Sequence, residues 1–187
     1  MIASISLRRR IDRLENARYL QSELELRRRI AEQVDTESRM RALGNAVGLD
    51  DPGLLEKLIE AGFTPANVHT LSRLPLALVA WGSGHVTSEE FRAAIDAALQ
   101  DDTSADSLRL FRSWLDRRPS AGLESLWEEL TKQRIRLGHD VHEGEVLLQQ
   151  AKSIALASGG LLGIGQVCSG EQRVLDRICE VYQLQSD

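Results

Sequence analysis

Aromatic residues are scarce in this 187-residue chain, at 4%, and it has only four prolines and two cysteines. Two cysteines make no disulfide framework. Cys168 and Cys179, on one helix, would lie about three turns apart, too far to bridge. Reduced thiols in a cytoplasmic protein are the simpler expectation. No apolar run approaches the roughly 18–20 residues of a membrane span. A secretory leader puts its basic residues before a long apolar core. Here Arg8, Arg9 and Arg10 follow a short one, so no leader is expected. Positive charge is not in excess: the formal net charge is −5, which argues against a nucleic-acid footprint over the whole protein. Sustained period-two alternation is missing too, so no sheet is expected.

Ala, Leu, Arg and Glu are abundant, and 42% of residues are apolar. That is enough for a core and too much for general disorder. The expectation is an all-α fold: a compact bundle of about seven or eight helices with two related helix–loop–helix halves, plus a long N-terminal helix. The division expected is a helical arm over 1–49 and a helical domain over 50–187, with GNAVGLDDPG (44–53) as the linker.

Residues 7–42 contain no Gly or Pro and read as one helix. Leu7, Ile11, Leu14, Ala17, Leu20, Leu24, Ile30 and Val34 form an apolar stripe, mostly at spacings of three and four. The stripe needs a cover: the body, a partner helix or a second copy. Residues 1–49 hold ten Arg and seven acidic residues, a net of +3 against −8 for the remainder. Arg8–Arg10 and Arg27–Arg29 suit an acidic partner. Equally, they pair with the interleaved Glu15, Glu23, Glu25 and Glu32 on a solvated face, and the interleaving favours the pairing.

Asp51 and Pro52 start a helix that runs to Ala61, with Leu54, Leu55, Leu58 and Ile59 inward and Gly62 as its stop. Thr64 and Pro65 start a short one carrying Val68 and Leu71. Pro75 to Trp81 is apolar nearly all round and should be central. Thr87 and Glu90 have the form of a capping box, opening a helix with Phe91, Ile95 and Leu99 inward. Further helices follow over 105–117 (Leu108, Phe111 and Leu115 inward, Trp114 at the edge) and 121–137 (Leu123, Leu126, Trp127, Leu130, Leu137). Another spans Val141 to Ala157, capped by Asp140 and including Val146, Leu147, Ala151, Ile154 and Ala155. Residues 161–167 should be a buried loop, and Ser169 with Gln172 repeats the capping form before a last helix.

The two glycine loops align at an offset of 81: Gly82, Gly84, Val86 and Glu90 against Gly163, Gly165, Val167 and Glu171. The expected caps, Thr87 and Ser169, differ by 82, a slip of one. Val79, Ala80, Trp81, Gly84, Val86 and Glu90, with Gly159, Gly160, Leu162, Gly163, Gly165, Val167, Ser169 and Gln172, resemble the two motifs of the TerB-like all-helical tellurite-resistance family over residues 51–183. The resemblance implies a bacterial, stress-related helical protein, and for some members metal binding by acidic loop residues. Here Ser83 and Thr87 stand where that pattern has acids. A hard cation such as Ca²⁺ wants about six oxygen ligands, so the loop is expected to serve as a structural turn.

Two other chemistries were open. His139, Asp140 and His142 are the densest group of potential metal ligands, and zinc would need His85 or Glu143 as well. His85, His139-Asp140 and Asp176 follow the order used by HD-type helical metal hydrolases. Cys168 is expected to pack in its loop. No catalytic, cofactor or metal residue is assigned. The functional expectation is a non-enzymatic interaction or scaffold module that docks a protein partner or a second copy through the N-terminal helix. A degenerate metal-binding protein and a metal-dependent hydrolase are the alternatives.

Overall fold

The structure, a computed structural model, describes residues 24–29, 32–99, 104–139, 142–157 and 167–184. Every regular element among them is helical and no strand occurs. The chain forms two compact units, Met1–Arg41 and Ala42–Asp187. Leu43, Val47 and Leu49, which the sequence places with the arm, are buried in the second unit.

In the first unit, 24–29 and 32–41 are helical, and all these side chains except Met40 are exposed. Arg28 pairs with Glu32 at 3.4 Å and Arg39 with Asp35 at 3.8 Å, both one turn apart. Of the interleaved acids Glu32 thus serves as a partner along the helix surface, as does Asp35, while Glu15 and Glu23 lie outside the described residues. The stripe from Leu7 to Leu20, Ile30 and the Arg8–Arg10 cluster lie outside the described residues.

The elements are α1 (32–47), α2 (Pro52–Glu60), a 3-10 turn (Val68–Arg73), α3 (Leu74–Ala80), α4 (Ser88–Leu99), α5 (Ala105–Asp116), α6 (Ala121–Arg136), α7 (Glu143–Ala157) and α8 (Ser169–Tyr182). The glycine-rich stretch expected as a linker is a helix stop followed by a helix start. α1 continues through Gly44 to residue 47, Gly48 takes φ +70°, and Leu49 N–H closes back on Gly44 O at 3.0 Å. Asp51 Oδ1 then accepts from Leu54 N–H at 3.1 Å, with Pro52 in the first turn. The same stop ends α2 at Gly62 and α6 at Gly138, each at positive φ with a six-to-one bond behind it.

All seven residues of α3 are buried, and α4, α5, α6, α7 and α8 pack around it. Each large apolar side chain taken from water there contributes about 1.5–3 kcal/mol. Trp81, at its end, donates from Nε1 to the Trp114 carbonyl at 2.8 Å. Trp114 itself is buried, not at an edge, and meets Phe111 edge-on with centroids 6.3 Å apart.

One expected core face is rotated, and two other expected core residues, Leu137 and Val146, are exposed. On α4 the buried residues are Glu90, Ala94, Ala97 and Ala98. Phe91 and Ile95 are half-buried and Leu99 is exposed. The inward Glu90 sets this rotation, and the alanines let α4 approach α3 and α7 closely. Phe91 instead lies under the Arg112 guanidinium, 5.9 Å from its centre. Leu137 is exposed because it closes α6 just before the turn at Gly138. Val146 is half exposed because it borders two surface depressions.

Polar ties join the helices. Arg177 on α8 forms a two-pronged pair with Glu128 on α6, and it also reaches Glu180. These carboxylates push its already high pKa further up. Lys57 on α2 meets Glu129 on α6 at 2.7 Å. Gln133 on α6 donates to Asp51 Oδ2 at 2.8 Å.

That last bond, with the Leu54 amide second, holds the Asp51 carboxyl below its usual 3.8. A depressed folded value means stability that is complete above 3.8 and lost as pH falls through the lower folded value. Gln133→Ala should therefore melt below the wild type at neutral pH, and the gap should narrow as pH drops below 3.8; thermal melts across that range check it.

α8 ends with the same six-to-one bond, Leu184 N–H to Cys179 O at 2.9 Å, but its left-handed residue is Gln183, at φ 56°. A side chain there is strained. Gln183→Gly is expected to stabilise the fold by about 0.5–1 kcal/mol in urea denaturation, the strain relief exceeding the entropy cost of glycine.

Candidate functional site

The first glycine loop joins α3 to α4. Thr87 caps α4 as its sequence suggests: Oγ1 accepts from Glu90 N–H at 3.2 Å, and Glu90 Oε2 accepts from Thr87 N–H at 2.7 Å and Thr87 Oγ1 at 2.9 Å. Glu90 is fully buried, and its Oε1 has no partner among the described residues. An unpaired buried acceptor costs about 1–3 kcal/mol.

At the second site the cap is Cys168, not Ser169, and the reaching carboxylate is Glu171, not Gln172. Glu171 N–H donates to Cys168 Sγ at 3.4 Å, and Glu171 Oε2 accepts from Cys168 N–H at 2.7 Å. Gln172 turns instead to Asp176, 2.8 Å away. The slip in the alignment disappears: Thr87 and Cys168, Ser88 and Ser169, Glu90 and Glu171 are each 81 apart. Cys168 was missed because thiols are poor caps, so Ser169 looked the better choice. Cys168 and Cys179 are both free thiols. The glycines of 159–165 lie outside the described residues.

The two sites meet through glycine. A Cβ on Gly82 would stand 2.5 Å from Glu171 Cγ and 2.6 Å from its backbone nitrogen. A Cβ on Gly170 would overlap the Gly82 carbonyl oxygen. Backbone therefore lies on backbone, and the loop after α3 seats the start of α8.

The remaining expected ligands are held separately. Ser83 Oγ donates to the His85 carbonyl at 3.0 Å, and His85 Nδ1 lies 3.5 Å from the same hydroxyl. The His139 ring stands over Gly48, its Nε2 3.5 Å from where a Cβ would be. His142 faces Glu145 at 3.7 Å, and Asp176 accepts from Gln172. Asp140 lies outside the described residues. Among the described residues, no group of three His, Cys, Asp or Glu could hold a metal ion.

Sequence reasoning missed a cleft of about 400 Å³ where the end of α1, the 3-10 turn, α6, α7 and Tyr182 of α8 converge. Val47, Val68, Leu130 and Leu147 give it a buried apolar floor. His69, Arg73, Arg134, His142 and Glu143 supply its polar wall. The Arg134 guanidinium is anchored by a bond to the Val47 carbonyl. These residues are scattered from position 47 to position 182 of the sequence and carry no shared local pattern. A wider, open groove of about 910 Å³ runs between α4 and α7.

Fold and sites together define a helical domain with paired, buried capping carboxylates. Compared with protein-family models, curated proteins and solved structures, the chain finds no match. Among the described residues no helix is long and apolar enough to cross a membrane.

The glycine contact predicts a contrast between two helix starts. Gly170 and Gly122 are both the second residue of their helices, but a Cβ on Gly122 meets nothing closer than Ser120 Oγ at 3.8 Å. Gly122→Ala should be neutral or stabilise by up to about 1 kcal/mol. Gly170→Ala should destabilise by about 2 kcal/mol or more, because the backbone must move. Chemical denaturation of the two variants measures the contrast.

Proposed function

We propose that this protein is a non-enzymatic helical interaction module whose N-terminal helix pairs with a second copy of itself. The observation that carries the reading is the exposure of large apolar side chains on that helix: Leu24 is 63% exposed, Leu26 57% and Val34 60%. Leu26 and Val34 are eight residues apart in sequence, the spacing of one helix face. An apolar face of this kind is stabilised by a like face, and a symmetric pair needs a self-complementary surface. Arg28 with Glu32, and Asp35 with Arg39, pair on the other side of the helix, so the charged side is solvated and the apolar side is the one left to cover.

The resemblance to the TerB-like family supports a stress-related setting for such a module. Its support lies in the all-helical build and in the two capping boxes 81 residues apart. The cation-binding alternative draws less support, because Glu90 and Glu171, the acids beside the two loops, are both buried and bonded to helix-start amides. The hydrolase alternative draws none from the separate settings of His85 and His139.

Light scattering of the full chain across a concentration series tests the reading. The expected result is reversible self-association that Leu26→Glu with Val34→Glu abolishes, leaving the melting of the second unit unchanged. A full chain that stays monomeric at every concentration, or a double variant that associates like the wild type, overturns it.

A further inference from the structure

We draw no further inference here: the strongest candidate, the open groove between α4 and α7 that half-exposed Val146 borders, carries nothing, because nothing in the structure shows what covers it.

Discussion

The contact of Gly82 with Gly170 and Glu171 is the constraint on which the body depends. It joins the end of the most buried helix, α3, to the start of α8 with no side chain between them. Two backbones at that distance exclude every residue but glycine at both positions. The Glu171 stem then fills the space beside Gly82, and its carboxylate turns back to the Cys168 amide. A cap usually affects only its own helix. Here the cap, the loop and the central helix form one packed unit, so the start of α8 is set by α3 as much as by its own residues. α7, which packs on both α3 and α8, is positioned by the same junction.

The two buried carboxylates follow from this arrangement. A carboxylate removed from water costs several kcal/mol unless hydrogen bonds replace the lost hydration. At Glu90 the Thr87 amide and hydroxyl do so on one oxygen, and at Glu171 the Cys168 amide does. Each acid therefore satisfies orphan amides of a helix start while occupying a core position. That use competes with cation binding, which needs carboxylate oxygens turned outward and several at once. The loop hydroxyl of Ser83 is likewise turned to the His85 carbonyl. The acids nearest the glycine loops thus hold the body together.

Local chemistry was legible in the sequence. The all-helical class, the central α3, the Asp51-Pro52 start, the Thr87–Glu90 box and the stops at Gly62 and Gly138 each rest on residues within about one turn of one another. Rotations about helix axes were not legible. Phe91, Ile95 and Leu99 make as good a stripe on paper as Glu90, Ala94, Ala97 and Ala98. The second wins because a capping carboxylate forced inward carries its own face with it. The Cys168 cap was hidden by intrinsic preference, since Ser169 next to it is the better capping residue and tertiary packing on Gly82 decided otherwise. The cleft was invisible for a third reason: its walls come from segments that only tertiary packing brings together.

The rigidity of that cleft traces to another glycine. A Cβ on Gly144 would stand 2.5 Å from the Tyr182 ring, so the tyrosine lies directly on the first turn of α7. Tyr182 and the neighbouring Glu143 both line the cleft, and the ring locks that wall to α8. The opposite wall is held by α6, through the Asp51–Gln133 bond to the start of α2 and the Arg177–Glu128 pair to α8. Close glycine contacts and interhelix polar bonds thus fix both sides of the depression independently of anything that fills it. Val146, half exposed, lies two residues on from Gly144 and borders both the cleft and the α4–α7 groove, so it is on the side of α7 that no neighbouring helix covers.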